Sequence, residues 1–204
     1  MTWIQTHSGE PVDLIDPKPD QIHVADIVHA LARISRFTGH TKGATSYTVA
    51  QHSVLVHRIV CQASPRDATA QLWALLHDAH EAYVGDISTP MKWALGFAKG
   101  RDPLRKLTAA FDWQIARHFG LTAGGLETVE PIVKRADLVA LALERNALLG
   151  SCKRPWDSLA GVTALPDIKV GRPLRAQSAE RLFLRTLTRA VGWFLLSAQI
   201  ATPQ

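Results

Sequence analysis

Four residues offer this chain its chemistry: His52, the adjacent pair His77-Asp78, and Asp137. The pair follows the apolar run LWALL (72–76), which places it at the inner end of a buried helix. An imidazole and a carboxylate are costly to bury there without a partner. A divalent cation is the economical partner. The dipeptide alone is a weak signal. It gains weight because His52, in YTVAQHSVLVH (47–57), and Asp137, in VKRADLVALALER (133–145), complete a ligand set. Two imidazoles and two carboxylates suit Mn, Co, Fe, Ni or Zn. Mg suits them less well, because it tolerates imidazole poorly. Four protein ligands leave an octahedral ion open positions for water and substrate, whereas a tetrahedral ion would be closed.

These residues must be positioned by helices. Residues 3–15 read as a small hairpin around Ser8-Gly9, followed by the proline-rich turn IDPKPDQ. Ile27, Leu31 and Ile34 lie at helical spacing within 22–37, with Asp20 as a possible N-cap. The glycines of TGHTKGATS (38–46) break the chain before a helix over 47–63. Ser64-Pro65 opens a third helix, which carries His77 and Asp78 and ends near Gly85. Asp86 and Pro90 turn the chain into a short helix, MKWALGF, and a looser basic stretch, AKGRD. Helices at about 103–119 and 130–149 follow, stopped by Gly120 and Gly150. Residues 151–175 read as a long irregular excursion, and a last helix covers about 176–196. That helix sets Arg181, Arg185 and Arg189 on a solvated face and Leu184, Leu187, Val191 and Phe194 on another. The expected fold class is all-α, a helical bundle with a small amino-terminal β-hairpin.

At 204 residues the chain is one domain, with a motif-bearing core at about 20–150 and a carboxy-terminal extension at 151–204. A chain this long buries roughly 70% of its unfolded surface, so it needs no metal or disulfide to fold, and a metal here is catalytic rather than structural. Cys61 and Cys152 are far apart and form no CxxC pair, and the amino terminus lacks a signal peptide, which together fit the cytoplasm. The longest apolar stretch (190–201) is too short and polar to span a bilayer, which takes ~20 residues. The net charge of +5 favours an anionic ligand but does not argue for nucleic acid, which needs clustered charge. Helical domains of this kind often pair through hydrophobic faces, so a homo-oligomer is expected.

Taken together, these segments resemble the HD-domain metal-dependent phosphohydrolases, whose H…HD…D pattern is matched by His52, His77-Asp78 and Asp137. The strings RFTGHT, YTVAQHS, HDAHEAYVGDISTP and VKRADLVALALER look like a bacterial and prophage branch similar to the 5′-deoxynucleotidases and phage dATP triphosphohydrolases. The resemblance covers roughly residues 1–150. It implies that the four residues hold one divalent ion, which lowers the pKa of a bound water and polarises a phosphoryl group. Glu81, four residues after His77 and three after Asp78, turns toward the same cavity and is the candidate general acid/base. Asp86 looks like the family's second carboxylate, which either orients water or touches the sugar. Arg36 falls where the family keeps an arginine in the first helix, suited to phosphate. Phe37 stands where the deoxynucleotidases carry tryptophan and can pack on sugar or base. Lys134 and Lys92 are the further cations for substrate phosphate.

The implied activity is removal of phosphate from small (deoxy)nucleoside monophosphates, with triphosphate release from dNTPs or a non-catalytic nucleotide-binding module as alternatives. His80 is read as a surface histidine rather than a ligand of a second metal. His40, in a glycine-flanked loop, is open between substrate contact and plain loop residue. His57 faces away from His52, and His7, His23, His29 and His118 have no constellation. Trp73, Trp93, Trp113 and Trp193 are read as core or interface residues.

Overall fold

In the computed structural model, which describes residues 1–96, 102–163 and 167–201, the chain opens with an antiparallel hairpin. Strands β1 (Trp3–Gln5) and β2 (Pro11–Asp13) pair with Ile4 opposite Val12. Gly9 takes the left-handed conformation (φ 92°) that the turn between them requires. Val12 is fully buried and anchors the hairpin to the helical core.

Eight helices follow among the described residues: α1 (Val24–Leu31), α2 (Val49–Ala63), α3 (Ala68–Leu76), α4 (Glu81–Val84), α5 (Thr89–Ala94), α6 (Pro103–His118), α7 (Ala123–Leu148) and α8 (Ala176–Ala201). The fold is all-α with one small hairpin, as the sequence pattern requires. The bundle is built on α2, α3, α7 and α8, with α1 set against α4 and α8. No helix among the described residues is long and apolar enough to cross a membrane.

Several boundaries differ from the sequence reading. The first helix ends at Leu31. Ser35 leaves it to pair with Thr48 as an isolated bridge, and Arg36–Gly39 form a 3-10 turn. Asp20 lies in an earlier 3-10 turn (Pro19–Gln21), and His23 takes the N-cap position without a side-chain bond. The third helix starts after Asp67, whose side chain accepts from the Ala70 amide, and stops at Leu76 rather than near Gly85. Helix α7 begins at Ala123, not near 130. Thr122 caps it, and Val129 and Val133, one turn apart and buried, draw it onto the core although Pro131 forfeits a backbone bond. Residues 97–101, holding the end of MKWALGF and most of AKGRD, lie outside the described residues, as do 164–166 in the irregular excursion.

The carboxy-terminal segment is part of the core. Ala179, Phe183, Leu187 and Ala190 of α8 are buried in the same cluster as α2 and α3. Phe183 takes the core position; Leu184, one residue on, is 47% exposed beside the arginine face. Buried Gln51 of α2 clasps the excursion from both sides: its amide donates to the Arg172 carbonyl (2.9 Å) and its carbonyl accepts from the Leu174 amide (3.0 Å). Of the tryptophans read as core or interface, only Trp73 is buried; Trp93, Trp113 and Trp193 are exposed. His57 does turn away, donating from Nδ1 to the Gln71 carbonyl. His7 and His29, by contrast, have a setting: their rings stack at 3.5 Å, with Glu180 bridging His29 and Arg33.

Candidate metal centre

His52 is completely buried in the middle of α2. Its Nδ1 donates to Oε1 of Glu144, on α7, at 2.8 Å. Its Nε2 lies 3.1 Å from Oδ1 of Asp137 and 3.3 Å from Oδ2 of Asp78, yet makes no hydrogen bond to either. His77, at the carboxy-terminal end of α3, repeats the pattern. Nδ1 donates to the Ala74 carbonyl (2.9 Å), while the buried Nε2 sits 3.3 Å from the same Asp78 oxygen without a hydrogen bond. The Ala74 carbonyl can only accept, so the Nδ1 of His77 carries a proton, and Nε2 is the nitrogen able to offer a lone pair. A lone pair pointed at a carboxylate oxygen repels it unless a positive charge lies between them; at His52 a proton supplies that charge while no ion is bound, and a metal ion can take its place. The orphaned imidazole nitrogens thus fit a cation. His52, His77 and Asp78 present ligand atoms all within 4.8 Å of one another, and Asp137 joins this trio through His52. The four residues singled out from the sequence come together, and the buried His/Asp group could hold a metal ion.

Glu144 is a fully buried carboxylate that braces His52 from behind, and the sequence reading missed it. It lies seven residues after Asp137, two helical turns along the same face, and that spacing was the available signal. Glu144 also accepts from Nη2 of Arg36 (3.1 Å), whose Nη1 lies 4.0 Å from Asp78. Arg36 therefore stands behind the centre, with only 11% of its side chain exposed, on a 3-10 turn rather than on the first helix. Phe37 packs under the Arg36 guanidinium (5.4 Å) and toward Trp156 (6.2 Å). Phe37 and Thr38 both have left-handed backbone (φ 55° and 53°), strain of a kind that collects at functional sites.

Between α3 and α4 the chain tightens. Ala79 bonds to Leu76 and Glu81 to Asp78 across three residues, so Asp78 and Glu81 eclipse on one side. Glu81 is buried, and Oε2 has no partner. Burial, reinforced by the charges of Asp78 and Asp86, pushes its pKa up to about 10, so it carries a proton at neutral pH when no ion is bound. Burial also raises Asp86, more strongly than Arg36 lowers it. Burial and Arg36 alone would lower His52, but Glu144, Asp137 and Asp78 outweigh them and hold it well above the ordinary histidine range. Asp78 and Asp137 are held low despite burial, Asp78 chiefly by His77 and His52 and Asp137 by His52.

His80 is not a surface histidine. Its side chain is 16% exposed and its Nδ1 donates to Oδ1 of Asp112, on α6, at 2.9 Å. No sequence motif marks Asp112. A cleft of about 530 Å³ between α6 and α7 is lined by His77, Asp112 and Asp137, by the cations Arg105 and Lys134, and by Trp113. Lys134 is thus placed at this cleft, and Arg105 joins it unannounced by any motif. Lys92, on α5, is close enough to act electrostatically on His80 and Asp86. His40 is exposed at the end of the 3-10 turn.

Fold and site define a class: an all-α bundle with a buried His/Asp centre able to hold a metal. No family model matches the chain. Similarity to known proteins nonetheless runs along most of it. An uncharacterized protein of Rhodobacter capsulatus is 38% identical over 163 residues, covering 78% of this chain and 79% of that protein. The uncharacterized protein YfdR of Escherichia coli is 34% identical over 184 residues, covering 90% and 93%. The chain belongs to the family of these two proteins.

Proposed function

We propose that the protein is a metal-dependent phosphohydrolase that removes the phosphate from small (deoxy)nucleoside monophosphates. One observation carries the reading: two buried histidine Nε2 atoms, without hydrogen bonds, face the carboxylates of Asp78 and Asp137 within 3.3 Å. The donor set fits Mn, Co, Fe, Ni or Zn better than Mg. Such an ion, when bound, supplies Lewis acidity toward a phosphoryl oxygen and toward water. The chain's own residues supply the rest. Glu144 and the Ala74 carbonyl fix the two imidazole rings. Glu81, protonated until deprotonation is favoured by added positive charge, gives a proton to the departing alkoxide or takes one from the attacking water. Asp86 orients water or touches the sugar. Lys134 and Lys92 counter the phosphate charge, and Phe37 offers an aromatic edge to sugar or base.

Release of triphosphate from dNTPs is the second reading, favoured by the pairing of Arg105 with Lys134 in one cleft, more positive charge than a monophosphate requires. A panel of nucleoside mono-, di- and triphosphates, incubated with purified protein and Mn or Co, separates the two. Free phosphate from monophosphates supports the first, inorganic triphosphate the second, and EDTA stops either. Absence of any release with every metal, or undiminished release by Asp78→Ala, rejects both.

A further inference from the structure

We propose that Asp78, His80 and Glu81 form a second divalent-cation site, with Asp78 shared between it and the first. Each of the three offers a ligand atom, and those atoms lie within 4.8 Å of one another. Two observations beyond this clustering point to a ligand. Glu81 is only 9% exposed, and its Oε2 has no hydrogen-bond partner. Buried carboxylate oxygens are satisfied in native proteins, so one without a donor marks a place where an outside group completes the structure.

The second observation is the bracing of His80. Asp112 holds its Nδ1 at 2.9 Å as Glu144 holds that of His52 at 2.8 Å. In each case an imidazole Nδ1 donates a hydrogen bond to a carboxylate on a distant helix, which leaves Nε2 as the nitrogen that a metal can take up. Metal-binding histidines are oriented in this way. A histidine that merely covered the surface would need no such brace.

The chemistry of the pair of sites is coherent. Oδ2 of Asp78 lies toward both His52 and His77, and a carboxylate has a second oxygen with which to serve another ion. One imidazole and two carboxylates suit Mn, Fe, Co or Zn. Three protein ligands leave positions open, and the class of ligand that fills them is a phosphate oxygen of the substrate. Glu81 can ligate through one oxygen and exchange a proton through the other. The proposal rests on the metal-binding reading of His52, His77 and Asp78, and is indifferent to which nucleotide is hydrolysed.

The test is a Mn(II) titration of the metal-free, full-length protein, counting bound ions by equilibrium dialysis and following free ion by electron paramagnetic resonance. Two ions per chain are expected for the unaltered protein and one for His80→Ala. Asp112→Asn, which keeps the shape of the brace, should weaken the second ion by about 10–100-fold while leaving the first in place. Should His80→Ala fail to fold, anomalous scattering from Mn-soaked crystals of the unaltered protein decides, with two peaks sharing Asp78 expected. One ion per chain in the unaltered protein, or two in both it and a folded His80→Ala, overturns the second site alone. No bound ion at all overturns the first site too, and with it the proposed function.

Discussion

Glu144 and His52 are 92 residues apart in sequence, and their side chains meet at 2.8 Å with no exposure to solvent. The contact joins α7 to α2 and orients the ring of His52, the one fully buried residue among the four that could hold an ion. It also gives Arg36 its counter-charge. The setting of His52 and the burial of Arg36 therefore depend on the same carboxylate.

Replacing it should damage both. Glu144→Ala leaves the Arg36 guanidinium buried without its nearest partner, and breaking a buried pair from one side costs about 3–5 kcal/mol. It also frees the His52 ring, and loss of such a brace lowers metal affinity by about 10–100-fold. Thermal melts together with a Mn titration check the two effects. Glu144→Gln, which keeps an acceptor for His52, should recover part of the affinity.

Metal binding should be strongly pH-dependent. In the ion-free protein Glu144, Asp137 and Asp78 hold the His52 proton well above the ordinary histidine range, against burial and Arg36. A metal must displace that proton, so affinity should fall as the pH is lowered and binding should release protons. Calorimetry in buffers of different ionisation enthalpy measures the release. Affinity unchanged between pH 6 and 8 would contradict it.

The ion-free protein should also lose stability as pH rises through the range that Glu81 spans. Its folded pKa, about 10, is above its ordinary value of 4.5, so the folded state binds the extra proton between these limits. Stability therefore declines with rising pH across that window. Glu81→Gln removes the dependence. Its melting temperature without metal should exceed that of the unaltered protein at pH 8 by at least about 2–4 °C, the size of a 1 kcal/mol effect in a chain of this length. The gap should close toward pH 4.5.

The left-handed backbone at Thr38 predicts a stabilising change. A β-branched residue at φ 53° carries strain of about 1–2 kcal/mol, while glycine costs about 0.5–1 kcal/mol in chain entropy. Thr38→Gly should thus gain up to about 1.5 kcal/mol, read as a higher urea midpoint at constant slope.

Lys134→Ala and Arg105→Ala test the cleft between α6 and α7. Both should raise KM for the nucleotide with less effect on kcat, since neither is among the groups assigned to proton transfer. If triphosphates are substrates, the rise should be larger for them than for monophosphates. Equal KM values across variants and substrates would place the phosphate elsewhere.

Residue types, local spacing and a family resemblance were enough to anticipate an all-α fold with a small hairpin and to single out His52, His77, Asp78 and Asp137, which the structure brings together. Those signals are local: apolar periodicity, Gly and Pro at chain breaks, and a His-Asp pair behind an apolar run. Tertiary structure alone decided what stands behind and beside these four residues. Arg36 was expected on the first helix, but packing set it in a 3-10 turn against Glu144. His80 has the local setting of a surface histidine and becomes half-buried only because α6 brings Asp112 from 32 residues away. Phe183 displaces Leu184 from the core because the phase of α8 is set by its packing on α2 and α3. Side-chain burial and partner choice depend on which helices meet, and residues one helical turn apart cannot report on that.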